Sequence, residues 1–249
     1  MKYGLKFYCE KPLTLPVNYN KILQAALLNW LNDGDYSRFL HDEGYVNKRK
    51  KYKLFTFSNI KGDYIFNKEN KTLTFNNEIM IVLSFYTNDS HDYILRNIRE
   101  NKPIRFGENY AEFVDCGVAE EYYKSCVVDT VSPITVHTTL EKPDGRKFTY
   151  YYEPQERGFK ELITNNLINK IEAVYGEKPL NTNFNIKPYN NKKQKKITTN
   201  YGGLIIKGWQ GSFEISGSSE MIKMALLSGI GDRNSIGFGC ILQNNFYSI

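Results

Sequence analysis

The sequence predicts an α+β protein made of two successive β-α-β-β-α-β units. Three observations carry this reading. Two stretches space apolar residues at helical intervals: Ile22, Leu23, Ala26, Leu27, Trp30 and Leu31, then Leu162, Ile163, Leu167, Ile168, Ile171 and Val174. Short alternating apolar segments surround both, bounded by Gly, Asn and Asp turns. The 249 residues suffice for one large or two small cores.

In the first half, residues 3–9 alternate and read as a strand. Leu13 to Asn20 leads into the first helix, with Asn18 or Asn20 able to cap it and Gly34 to end it. A second, short helical segment places Tyr36, Phe39 and Leu40 on one side and ends at His41, Asp42 and Glu43. The basic run Lys48, Arg49, Lys50, Lys51, Tyr52, Lys53 enters a strand at Leu54–Ser58. Residues 62–86 hold two or three more strands, with turns at 61–63 and 67–70. Residues 88–101 read as a helix, and 104–106 and 111–115 as strands. The order is that of the ferredoxin-like plan.

A break near Cys116-Gly117 divides the chain into 1–117 and 118–249. The second half is strand-rich over 124–139, interrupted at Ser132-Pro133, and turns at Asp144-Gly145 into a strand at 148–152. The helix over 159–175 stops at Gly176. Strands around 183–187 and 197–213, a helix over 219–227 and a last strand from Ile236 to Leu242 complete a second unit of the same plan. Lys187, Lys192, Lys193, Lys195 and Lys196 cluster around Asn190-Asn191, which reads as the tip of a β-hairpin able to grip a phosphate backbone.

Net charge is +6, from 33 basic and 27 acidic residues, which favours an anionic partner. Tyrosine is abundant, at 19 residues, and suits base stacking as well as sheet building. The four cysteines form no C-x-x-C pair and read as free thiols in a reducing cytoplasm. No signal-peptide pattern and no apolar run of membrane-span length is present. Dispersed histidines and cysteines predict no metal site, and no motif calls for a cofactor. There is no Walker A loop and no G-x-S-x-G elbow.

The organising stretch is Gly229-Ile230-Gly231-Asp232-Arg233-Asn234-Ser235-Ile236-Gly237-Phe238-Gly239. Two glycine–apolar–glycine pairs bracket five residues that include an arginine. Glycine lets backbone approach a ligand closely, and successive N–H groups with Arg233 could face a phosphate. A dinucleotide fingerprint fits poorly, because the third glycine would fall on Asn234. The pattern and its position resemble the signature loop of the CRISPR-associated repeat-RNA endoribonucleases. Leu13–Pro16, Tyr19-Asn20, Leu23-Gln24, Phe39–His41, Lys53–Ser58 and Ser132–Ile134 extend the resemblance over nearly the whole chain.

Two tandem ferredoxin-like domains, related to the RNA-recognition fold, are what this resemblance implies. It also implies metal-independent cutting of CRISPR precursor RNA within repeats, with the RNA's own 2′-OH as nucleophile. The products would be a 2′,3′-cyclic phosphate and a 5′-OH. His41 sits at a helix end beside two carboxylates and next to a basic run, a setting that favours imidazolium. With Lys53, it matches the family's catalytic segment. Many members carry a tyrosine where this chain has Leu28, so Tyr36, Tyr45 and Tyr52 stand as alternative partners, with Tyr36 placed first. His91 and His137 read as polar cover and sheet surface.

RNA binding is expected at Lys48, Arg49, Lys50, Lys51, Lys192, Lys193, Lys195, Lys196, Gly229, Gly231, Arg233, Asn234, Ser235, Gly237 and Gly239. Expected partners are CRISPR repeat RNA and other subunits of an RNA-guided surveillance complex. The chain would act as a monomer or homodimer, away from membranes. The rival expectation is a non-cleaving RNA-binding subunit of such a complex.

Overall fold

The computed structural model describes residues 1–30, 44–86, 96–97, 100, 102–118, 123–191 and 193–243. Tyr36, His41 and the short helical segment between them lie outside these residues, as do Gly34, Asp42, Glu43, His91, Lys192 and most of the helix expected over 88–101.

The first strand, β1 (Lys2–Pro16), is longer than its alternating core suggests. A register shift between Cys9 and Leu13 lets it continue along β6 (Thr72–Phe85) with Leu13 and Leu15 buried. The stretch expected as a lead-in to the helix is therefore strand. Helix α1 (Asn20–Trp30) follows and buries Leu23, Ala26, Leu27, Leu28 and Trp30. Asn18, expected as a cap, accepts a hydrogen bond from the Asn200 backbone N–H.

The basic run forms a two-stranded ribbon, β2 (Tyr45–Asn47) and β3 (Lys50–Tyr52), turning at Lys48-Arg49. It leads directly to β4 (Phe55–Phe57), which pairs with β6. β5 (Tyr64–Asn67) folds back on the other end of β6. β7 (Ile104–Phe106) and β8 (Asn109–Val118) close the sheet in the antiparallel order β4-β6-β1-β8-β7. Without the short β7, this is the 2-3-1-4 order of a ferredoxin-like unit.

The second unit repeats that order. β9 (Cys126–Thr130), β12 (Phe184–Pro188), β15 (Ser212–Gly217) and β16 (Ile241–Gln243) form a sheet in the order β12-β15-β9-β16. Helix α2 (Arg157–Tyr175) links the first two and α3 (Ser219–Ser228) the last two. α2 ends at Gly176 in the left-handed conformation, and the Ser218 side chain caps α3. The fold is thus α+β, with two tandem ferredoxin-like units.

Two hairpins are inserted into the second unit. One is β10 (His137–Glu141) with β11 (Lys147–Tyr151). The other is β13 (Lys195–Tyr201) with β14 (Leu204–Gln210), turning at Gly202-Gly203. The hairpin expected around Asn190-Asn191 does not form. β12 pairs with β15 and β13 with β14, so residues 189–191 are a connecting turn between two separate sheets. The last strand is also shorter than expected. Residues 234–236 form a single 3₁₀ turn, and pairing with β9 begins only at Ile241.

The two units share an interface through the opposite face of the first sheet. Tyr52, Leu54 and Tyr86 belong to the core of the second unit, and Val82 packs with Val131, Cys240 and Leu242. Lys2 is fully buried, and its Nζ donates to the Ile241 carbonyl at 2.7 Å. Ser84 Oγ donates to the Leu227 carbonyl at 2.8 Å. No helix among the described residues is long and apolar enough to cross a membrane.

In the second core, Phe159 is buried, stacked on Phe213 at 6.3 Å and edge-on to Trp209 at 6.5 Å. Phe159→Ala is expected to destabilise the fold by about 3–5 kcal/mol, read as a lower urea midpoint with unchanged slope.

Candidate active site

The cleft lies where the basic ribbon meets the glycine loop. It has a volume of about 290 Å³. Lys50, Lys51, Tyr52 and Lys53 form one wall, and Asp232, Arg233, Asn234 and Ser235 the other. Asn166 and Lys170 of α2 form the floor. Two motifs are thereby joined, 182 residues apart in sequence at the Thr56–Phe238 contact.

The wall holding Lys53 is fixed by its flanks. Asn47 of β2 donates to the Asn169 carbonyl at 3.1 Å and to Glu172 at 2.8 Å, tying the ribbon to α2. Leu54, the residue after Lys53, has φ of +48°. A branched side chain in that region is strained by roughly 1–3 kcal/mol and persists only where its surroundings enforce it. Arg233 opposite has φ of +60°. Both sides of the cleft therefore present a cation beside, or on, a strained residue.

The glycine loop is built against protein. Ile230 N–H donates to Gly239 O at 2.9 Å, and Gly239 N–H to Pro133 O at 2.8 Å. A Cβ on Gly239 would lie 1.9 Å from the Ile230 carbonyl oxygen, and one on Gly231 would lie 2.4 Å from that of Thr135. These glycines permit backbone-to-backbone contact. The N–H groups of Ile230, Asp232, Ile236, Gly237 and Gly239 all donate within the protein. The phosphate-facing row of amides expected from the motif is to that extent absent, and the side chains of Arg233 and Ser235 line the cleft instead.

Both units grip the loop. From the first, Thr56 Oγ1 donates to Phe238 O at 2.9 Å, and Gln24 Nε2 to Ser235 O at 2.7 Å. Asn20 Nδ2 reaches Ile236 O at 3.4 Å. From the second, Lys170 Nζ donates to Gly229 O at 2.7 Å and to Asn234 Oδ1 at 2.8 Å. Asn234 Nδ2 then bonds Ile230 O at 3.1 Å and Phe238 O at 3.0 Å, stapling the loop's two arms.

Among the described residues Asp232 is the one acid lining the cleft, and it is engaged. Its N–H donates to Thr135 O at 2.8 Å. Its Oδ2 lies 2.9 Å from His137 Nδ1 and accepts from the His137 N–H at 3.2 Å. Burial opposes its charge, but those His137 contacts, with the Lys50 charge beyond them, hold the carboxyl below the usual range. His137, expected as plain sheet surface, is an anchor of the loop. The Arg233 Nε is buried without a hydrogen-bond partner among the described residues.

Sequence reasoning brought Lys50, Lys51, Lys53, Gly231, Arg233, Asn234 and Ser235 to this cleft. Lys48 and Arg49 sit at the exposed ribbon turn. Lys193 and Lys196 line a different cavity, and Lys195 is on the exposed β13. Leu28, at the family's tyrosine position, is buried among core residues. Lys170 was missed. It falls on the apolar stripe of α2, between Leu167 and Ile171, and a lysine there signals a buried partner.

The arrangement defines a tandem ferredoxin-like protein with a cationic cleft between its units, suited to a polyanion. The family model described as CRISPR associated protein Cas6, C-terminal, matches residues 118–242. The chain belongs to the Cas6 family. Its relatives include CRISPR-associated endoribonuclease Cas6 1 of Methanocaldococcus jannaschii, 26% identical over 98% of this chain and 92% of that protein. CRISPR-associated endoribonuclease Cas6 of Pyrococcus furiosus is 28% identical over 45% of this chain and 39% of that protein. A solved structure of a Cas6-related protein from Pyrococcus furiosus has a TM-score of 0.82 at 20% identity, covering 98% of each chain. A structure described as a RAMP protein binding different RNA substrates has a TM-score of 0.79 at 22% identity, covering 98% of this chain and 99% of that one.

Complete burial pushes the Lys170 ammonium down to about 7, against the attraction of Asp232. Its folded value thus lies below its unfolded one, and above pH 7 the unfolded chain binds more protons. Stability should therefore rise relative to Lys170→Met between pH 7 and about 10, by up to about 1.4 kcal/mol per pH unit. Urea titrations of both proteins across that range check the sign.

Proposed function

We propose that the chain is a CRISPR RNA-processing endoribonuclease that cuts within repeats, without a metal ion, by attack of the RNA's own 2′-OH. The observation that carries this is the cleft itself. Lys53 and Arg233 face one cavity from the ribbon and the glycine loop, and the one carboxylate lining it among the described residues is held by His137. Cationic donors suit a phosphate and not a metal ion.

In this mechanism a base takes the 2′-OH proton, and the 2′ oxygen attacks the adjacent phosphorus in line. The P–O5′ bond breaks, leaving a 2′,3′-cyclic phosphate, and an acid protonates the departing 5′ oxygen. Lys53 and Arg233 neutralise charge developing on the phosphoryl oxygens. His41 is assigned one proton-transfer role and Tyr36 stands as its partner. Leu28 carries no ionisable group at the position where many members place a tyrosine. RNA contact is assigned to Arg233, Asn234, Ser235 and Gly231, with Lys48, Arg49, Lys50 and Lys51 of the ribbon. Gly229, Gly237 and Gly239 shape the loop. Lys192, Lys193, Lys195 and Lys196 extend the contact beyond the cleft. The division at 117/118 separates a half carrying the proposed catalytic segment from a half carrying the second basic run and the glycine loop, and surveillance-complex subunits are the natural recipients of the product.

The test is single-turnover cleavage of repeat RNA in EDTA. Wild-type protein should cut, and RNA with a 2′-deoxy nucleotide before the cut should bind and stay intact. His41→Ala should slow cutting on the order of 10²–10⁴-fold with affinity little changed. Near-normal cutting by His41→Ala moves the proton transfer to another group, and dependence on added magnesium defeats the mechanism.

Arg233→Ala should weaken RNA binding and lower the slope of log affinity against log salt by about 0.7 for single-stranded or about 0.9 for duplex RNA, the loss of one phosphate contact. Fluorescence anisotropy from 50 to 300 mM salt measures it.

A further inference from the structure

The two inserted hairpins face each other across a groove outside the cleft. One cavity, of about 460 Å³, is lined by Phe148, Tyr150 and Tyr151 of β11 and by Lys196 and Lys207 of the second hairpin. A second cavity, of about 530 Å³, is lined by Lys193, Gln194 and Trp209. Lys196 and Glu153 line both, so the cavities adjoin. Neither insertion is needed for the 2-3-1-4 sheet, which closes without them.

The composition of the groove is specific. Phe148 and Tyr150 are each 38% exposed, on a strand whose partners across the hairpin are Leu140 and Thr138. Lys142, outside both cavities, lies over the Phe148 ring at 5.7 Å, and Lys196 lies over the buried Trp209 ring at 5.7 Å. The acids are engaged. Glu156 accepts from Tyr150 Oη at 2.6 Å, and Glu153 Oε1 is 3.9 Å from Lys196 Nζ. Exposed rings interleaved with lysines offer stacking faces for bases and charges for the backbone between them.

One end of the groove lies near the glycine loop. Tyr151 lines it, and its ring centroid is 5.7 Å from that of His137, which anchors Asp232 of the glycine loop. Tyr151 also lies within the field of Arg233.

We propose that the groove between the β10–β11 and β13–β14 hairpins binds unpaired nucleotides of the substrate, by stacking bases on Phe148 and Tyr150, alongside the cut site. The proposal deepens the repeat-RNA reading and rests on it for the identity of the strand. Unpaired nucleotides are required because only unstacked bases can lie on a side-chain ring; a duplex keeps its bases stacked inside. The strand running through the groove would be held without reading its sequence, since every base has a stacking face.

The experiment uses the full chain and a fluorescein-labelled 12-nucleotide oligouridylate, with a 12-base-pair RNA duplex as comparison, both followed by anisotropy. Phe148→Ala with Tyr150→Ala should weaken oligouridylate binding on the order of ten- to a hundredfold and leave duplex binding within twofold. Tyr150→Trp should retain wild-type affinity, which separates lost stacking from a disturbed hairpin. Unchanged oligouridylate affinity in the double variant, equal loss for the duplex, or a weak Tyr150→Trp protein overturns the proposal. Repeat-RNA cutting by the wild type is assayed separately. If it is absent while the double variant still loses oligouridylate affinity, the endoribonuclease reading fails and the groove stands.

Discussion

The contact on which the cleft depends is between two main-chain segments of the glycine loop. Ile230 and Gly239 meet so closely that no side chain fits between them. That approach folds the intervening residues into a compact arch, and Asn234 closes it by bonding the carbonyls of Ile230 and Phe238. Arg233 then stands at the arch's crest with no freedom to choose its backbone conformation. The glycines shape the arch through contacts within the protein, leaving its non-glycine residues to line the cleft.

The arch is not the property of one unit. Thr56, Gln24 and Asn20 hold it from the first, and Lys170 and the Thr135 carbonyl from the second. Lys53 stands three residues before Thr56 of β4, so one short segment delivers a cation to the cleft and a hydroxyl to the loop opposite. Shifting the units relative to each other would break the loop's hydrogen bonds and move Lys53 together. This coupling makes the cleft geometry a consequence of the inter-unit packing around Lys2, Ser84 and Val82.

Much of this was legible in the residues. The helical stripes at 22–30 and 162–174 fixed two helices, and strand alternation supplied the ferredoxin-like plan. The glycine spacing pointed to Arg233 and the family resemblance to Lys53, and the fold places both at one cavity. What could not be read were pairings. Nothing local says that β12 turns away from β13, because partner choice depends on which sheet has a free edge. The shortening of the last strand has a similar cause. Ile236 and Phe238 have strand-like composition, yet positive φ at Gly237 and Gly239 bends the chain into the arch. Lys170 illustrates a third limit. A polar residue on an apolar stripe announces a partner without naming it, and here the partners are a carbonyl and an amide 59 and 64 residues away.

The distance along the chain between the two halves of the cleft also has a consequence during synthesis. The Thr56–Phe238 contact spans 182 residues. At a synthesis rate of about 5–20 residues per second, the arch emerges roughly 10 to 40 s after the strand that receives it. Over that interval the nascent first unit carries Lys53 and its basic ribbon but has no opposing wall. The chain's topology therefore delays the assembled cleft until α3 and the arch that follows it have been made.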